Sequence, residues 1–81
     1  MMFNIYPNPN NGQFIIELSN VKKEDYLIEV RNIIGQLIYI EEVDKVSGEL
    51  LKIDLSEHNQ GVYFLSVSNS LGTRTEKLII Y

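Results

Sequence analysis

No cysteine occurs in these 81 residues. Disulfides, thiolate metal sites and thiol catalysis are therefore all excluded, although the compartment is not fixed, because bacterial exported domains often carry no cysteine. Also missing is any apolar run near the roughly 18 residues that would suggest a membrane helix. The N-terminus has neither the charged region nor the long apolar stretch of a secretory signal. An export address, if there is one, is expected upstream in a longer protein or in the domain itself, and Met1-Met2 reads as the start of an excised piece. Basic residues are scarce: seven against eleven acidic give a net charge of −4, and no basic cluster exceeds Lys22-Lys23. That balance argues against nucleic acid and against an anionic membrane surface as partners.

Catalytic patterns are lacking too. The one histidine, His58, stands among Glu57, Asn59 and Gln60 in an expected turn, where it reads as a surface residue with no nucleophile to activate. Ser56, Ser66, Ser68 and Ser70 fall in turn or solvent-facing contexts, and none occupies a Gly-x-Ser-x-Gly elbow. The acidic pairs Glu24-Asp25 and Glu41-Glu42 would need a cleft to work as a glycosidase dyad, and they read better as solvated turn or edge charges. A calcium loop ending at Gly12 would place Pro7 and Pro9 at its first and third positions. Proline offers no side-chain oxygen there, so the loop fails as a calcium site. Neither a phosphate-cradling glycine loop nor an Asn-x-Ser/Thr sequon is present. No catalytic residue, metal site or cofactor is expected, and the chain does not read as an enzyme.

What is there is organised around Tyr6-Pro7-Asn8-Pro9-Asn10-Asn11-Gly12-Gln13-Phe14. The prolines fix φ and bias their predecessors toward extended geometry. Asn10, Asn11 and Gly12 tolerate the positive φ that a tight reversal needs. The stretch reads as a stiff turn leading into a β-domain.

Seven short segments of β character follow one another, at 3–6, 13–18, 26–32, 36–42, 50–55, 62–69 and 73–81. Phe14, Ile16 and Leu18 share one face, as do Ile28 and Val30, Ile53 and Leu55, Tyr63, Leu65 and Val67, and Leu78 and Ile80. Period two in five of the seven segments is the strand signature. Ile34-Gly35, Ser47-Gly48, Asn59-Gln60-Gly61 and Asn69-Ser70-Leu71-Gly72 supply turn chemistry between them. Only residues 21–25 and 56–59 could hold a helical turn, and neither is long enough for a helix. The expected fold is all-β: one small seven-stranded antiparallel immunoglobulin-like β-sandwich spanning residues 1–81. It lacks the Cys…Trp…Cys spacing of true immunoglobulin domains. Its core is expected to draw on Phe14, Ile16, Leu18, Ile28, Val30, Leu37, Ile53, Leu55, Tyr63, Leu65, Val67, Leu78 and Ile80, each contributing roughly 1.5–3 kcal/mol before chain entropy is subtracted.

The tail Lys77-Leu78-Ile79-Ile80-Tyr81 has two readings. It is a strand buried on both sides, or an edge strand that a partner extends by main-chain pairing.

Taken in order, Tyr6-Pro7-Asn8-Pro9…Gly12-x-Phe14, Ile28-x-Val30…Gly35-Gln36-Leu37, Ile53-Asp54-Leu55, Gly61-Val62-Tyr63-Phe64-Leu65 and Lys77-Leu78-Ile79-Ile80 resemble the type A C-terminal sorting domain of the type IX (Por) secretion system of Bacteroidetes-type bacteria. The resemblance runs from Asn4 to Tyr81. It implies an immunoglobulin-like address label without catalytic activity, fused behind a secreted cargo. The label passes the periplasm, is read by the outer-membrane translocon, and is removed by a surface sortase that attaches the cargo to the cell surface. It further implies that Lys77, Leu78, Ile79, Ile80 and Tyr81 form the terminal recognition motif. Tyr6, Pro7, Asn8, Pro9, Gly12, Phe14, Gly35, Gln36, Gly61, Tyr63 and Phe64 would be family motif positions with structural roles. Many members end in a basic or small polar residue, whereas Tyr81 stands here. Cleavage in such proteins falls ahead of the first motif, so the cut site is expected outside these residues.

The alternatives are a β-sandwich adhesion or glycan-binding module, favoured if Tyr39, Phe64 and Tyr81 share an exposed face, and a structural spacer of a surface protein.

Overall fold

The alternation seen in the sequence becomes seven strands: β1 (Met2–Tyr6), β2 (Gln13–Ser19), β3 (Glu24–Asn32), β4 (Leu37–Val46), β5 (Leu50–Asp54), β6 (Gly61–Asn69) and β7 (Gly72–Ile80). The computed structural model describes residues 2–19, 24–46 and 50–81. No helix occurs among them. The expected link at Ser47-Gly48 and most of the expected helical turn at 21–25 lie outside the described residues, while Glu24 and Asp25 belong to β3. Segment 56–59 forms a turn in which the His58 amide donates to the Leu55 carbonyl.

The strands divide into a three-stranded sheet, β1-β2-β5, and a four-stranded sheet, β4-β3-β6-β7, with every strand pair antiparallel. This is the immunoglobulin-like sandwich expected, with the fourth strand joined to the third rather than to the first sheet. Between the sheets lie Phe3, Phe14, Ile16, Leu18, Tyr26, Ile28, Val30, Ile53, Leu55, Tyr63, Leu65, Val67, Leu78 and Ile80. Twelve of the thirteen expected core residues are among them.

The exception is Leu37, which is 43% exposed. Its position follows from a register shift. Tyr39 lies opposite Val30, but Leu37, and not the intervening Ile38, lies opposite Arg31. An extra residue in one strand reverses the facing of what precedes it. Leu37 therefore joins Arg31 on the outer face, and half-buried Ile38 packs against the core instead. Phe3 and Tyr26 are core residues that the alternation argument did not assign. They stand opposite Leu18 and Val43, respectively.

Packing determines what a truncation costs. Ile16 is fully buried and Ile40 is 54% exposed on the outer face. Ile16→Ala is expected to cost about 2–5 kcal/mol, through lost transfer energy plus the residual cavity. Ile40→Ala should stay within about 0.5 kcal/mol. Equilibrium urea denaturation of both variants measures the contrast.

Candidate functional site

At the end of β1 the chain leaves the sheet, because Pro7 has no amide hydrogen with which to continue a ladder. Both proline peptide bonds, Tyr6-Pro7 and Asn8-Pro9, are cis. The loop that follows lies against β7, the outermost strand of the other sheet. Asn8 uses its side-chain amide as a substitute peptide: Nδ2 donates to the Lys77 carbonyl at 2.8 Å, and Oδ1 accepts from the Ile79 amide at 3.0 Å. Asn10 then makes a true parallel bridge to Ile80. Its backbone amide donates to the Ile79 carbonyl at 3.0 Å, and its carbonyl accepts from Tyr81 at 2.8 Å. An edge strand normally presents a row of unpaired backbone groups. Here the row from the Lys77 carbonyl to the Tyr81 amide is taken by two asparagines 69 to 71 positions earlier in the chain.

Asn10 is the one buried polar residue in the described core, at 1% exposed. A buried amide must be satisfied, and this one is: Nδ2 donates to the Pro7 carbonyl at 2.9 Å and Oδ1 accepts from the Gly12 amide at 2.8 Å. The loop is thus closed on itself before it touches β7. Gly12 locks the other side. Its φ is +105°, and a Cβ there would come within 2.6 Å of the Ser56 Cα, while its carbonyl accepts from the Leu55 amide at 2.6 Å. Asp54 shapes that turn by accepting from the Ser56 amide and hydroxyl, and these bonds hold its carboxyl below the usual carboxylate range.

The remaining motif positions sit at the same end of the sandwich. Asn32 organises the β3–β4 turn. Its carbonyl accepts from the Gly35 amide, its Oδ1 from the Ile34 and Gln36 amides, and its Nδ2 donates to the Gln36 side chain at 2.7 Å. Gly35 takes φ +87° with open space around it. Gly61 begins β6 opposite Ile80. The buried Tyr63 donates its hydroxyl back to the Asn59 carbonyl at 2.5 Å, a tyrosine corner like that of immunoglobulin-type sandwiches that satisfies the buried phenol. Phe14 is in the core, whereas Tyr6 and Phe64 are partly exposed on the outer faces of the two sheets.

The family profile of the secretion system C-terminal sorting domain, Por_Secre_tail, matches residues 4–81. The chain belongs to that family. It is a type IX secretion sorting domain, a signal for export through the outer membrane to the cell surface or to release. No curated protein is significantly similar in sequence to the chain.

The terminal motif of the sorting domain is split by its strand geometry. Leu78 and Ile80 are core residues, whereas Lys77 is exposed, Ile79 half-buried and Tyr81 67% exposed. The strand is therefore not buried on both sides. Its main chain is not free for augmentation either, because Asn8 and Asn10 occupy the edge over Lys77–Tyr81. The three aromatics do not share a face. Tyr39 lies on the core side of β4 opposite Val30, hydrogen-bonded to Glu41. Burial first, and then the Glu41 carboxylate, push its phenol up to about 12. Asn32 organises a turn in which only Ile34 and Gly35 were expected to act, and Asn10 and Asn59, expected only as turn residues, also close the loop and accept the Tyr63 hydroxyl. The one signal available was their residue type in turns.

Two outcomes test this geometry. Gly12→Ala combines a positive-φ penalty of about 1–3 kcal/mol with a backbone clash, and should destabilise by more than Gly35→Ala in urea titrations. Asn8→Ala returns the Lys77 carbonyl and Ile79 amide to water. Hydrogen exchange followed by NMR should then show lost protection at Ile79, with the Leu65 and Val67 amides unchanged.

Proposed function

We propose that this domain is a non-catalytic address label, fused behind an N-terminal cargo in a longer secreted protein. It directs that cargo from the periplasm through the type IX translocon. A surface sortase then removes the label and attaches the cargo to the cell surface, or the cargo is released. The observation that carries this reading is the family match over residues 4–81. The fold supports it: the first motif, at Asn8 and Asn10, and the last motif, at Lys77–Tyr81, are hydrogen-bonded into one unit. A label read as a folded object needs its distant motifs held together in this way.

Within that unit, Lys77, Ile79 and Tyr81 are the terminal-motif side chains available for reading, while Leu78 and Ile80 keep the strand in place. Tyr6, Pro7, Asn8, Pro9, Gly12, Phe14, Gly35, Gln36, Gly61 and Tyr63 serve to build the end of the sandwich on which they stand.

The test is a fusion of this domain to the C-terminus of a periplasmic reporter, expressed in a type IX-competent strain and in a strain lacking the translocon. The expected result is reporter on the surface or in the medium of the competent strain alone. Reporter retained in the periplasm of both strains overturns the reading.

A further inference from the structure

The outer face of the four-stranded sheet is unlike the rest of the surface. In register across it, Leu37 of β4 faces Arg31 of β3, Arg31 faces Phe64 of β6, and Phe64 faces Lys77 of β7, with Val62 opposite Ile79 alongside. Cross-strand neighbours of this kind lie within side-chain contact. The β3–β4 turn at the same end adds Ile33 and Ile34, 71% and 74% exposed, and Tyr81 follows at the end of β7. Of the eleven exposed large hydrophobic residues among the described ones, six, Ile33, Ile34, Leu37, Val62, Phe64 and Tyr81, gather at this end of one face or beside it. A gathered apolar surface of this kind marks an interaction site more often than scattered exposure does.

The charge of the patch runs against that of the chain. The molecule carries −4, yet the charged groups in this row are Arg31 and Lys77. Arg31 is already engaged, with Glu29 and with the Gly35 carbonyl, each at 3.1 Å. Lys77 has no ion-pair or hydrogen-bond partner for its ammonium among the described residues. Its backbone carbonyl is held by Asn8, so the position of the residue is set while its charge is left to an outside group.

We propose that this patch, centred on Phe64 and Lys77, is the docking face of the domain, and that its occupant is a protein surface presenting aliphatic side chains around an unpaired carboxylate. The proposal rests on the sorting reading and gives the chemistry of the partner that reads the label. A second copy of the chain fits poorly, because the carboxylate beside this row, Glu29, is already held by Arg31 and so is not free to receive the Lys77 ammonium of another copy. Main-chain augmentation of Lys77–Tyr81 is closed off by Asn8 and Asn10, which leaves the outward side chains as the readable part.

The experiment uses the reporter fusion with four variants, Lys77→Glu, Phe64→Ser, Lys77→Arg and Lys52→Glu, the last placing the same charge reversal on the outer face of the other sheet. Lys77→Glu and Phe64→Ser should each lower export at least about tenfold, the cost of a like-charge contact or a lost apolar anchor. Lys77→Arg and Lys52→Glu should export at the wild-type level. Thermal melts of the purified domains should agree within about 4 °C, so that unfolding does not account for the loss; if Phe64→Ser melts lower than that, Lys77→Glu decides. Wild-type export together with normal export of Lys77→Glu overturns the docking face alone. A wild-type fusion retained in both strains overturns the sorting reading and this proposal together.

Discussion

Four hydrogen bonds from Asn8 and Asn10 to the outward edge of β7 hold the two ends of this chain in one structure. Elsewhere among the described residues the two sheets face each other across the packed side chains of the core. The loop is the place where backbone polar groups reach from the three-stranded sheet to the far strand of the four-stranded one. Each constraint in it supports another. Asn10 closes the loop through Pro7 and Gly12, Gly12 seats against the backbone of Leu55 and Ser56, and Asp54 shapes the turn that receives it. Loss of the Asn10 side chain would strand buried polar groups at a cost of about 1–3 kcal/mol. A buried polar network of this kind specifies one arrangement more strongly than apolar contact alone.

The closure also determines how the terminal residues present themselves. Strand alternation sends Leu78 and Ile80 into the core and Lys77, Ile79 and Tyr81 outward. With the main chain already paired on both sides there, what this stretch presents outward is side chain. The same end of the molecule carries the Gly35 turn, the tyrosine corner at Tyr63 and the exposed ring of Phe64, so residues far apart in sequence converge on one pole of the sandwich.

Much of this was legible in the sequence, for identifiable reasons. Period-two alternation in residues 14–18, 28–30, 53–55, 63–67 and 78–80 named most of the core, because each of these strands has one face on the other sheet. It failed at Leu37, where a bulge between Val30 and Arg31 reverses the facing. A bulge leaves no mark in a hydrophobic pattern when both faces carry apolar residues, and Leu37, Ile38, Tyr39 and Ile40 form an unbroken run. Tyr26 could have been reached by extending the Ile28 and Val30 alternation one step. The partners of Asn8 and Asn10 could not, since a side-chain amide standing in for a strand residue has no local pattern. The family motifs were recognisable as residues, but their joining into one unit is a property of the tertiary structure alone.

The direction of β1 has its own consequence. Met2 pairs with Ser19, at the pole opposite the one where Tyr6 pairs with Ile15 and the loop turns toward β7. A strand rises about 3.3 Å per residue, so the five residues of β1 carry the chain more than ten ångströms along a body whose longest extent is 33 Å. Any polypeptide joined ahead of Met2 therefore leaves from the far pole and points away from Lys77 and Tyr81. The sandwich thus stands between any polypeptide joined ahead of it and the pole where Lys77 and Tyr81 lie.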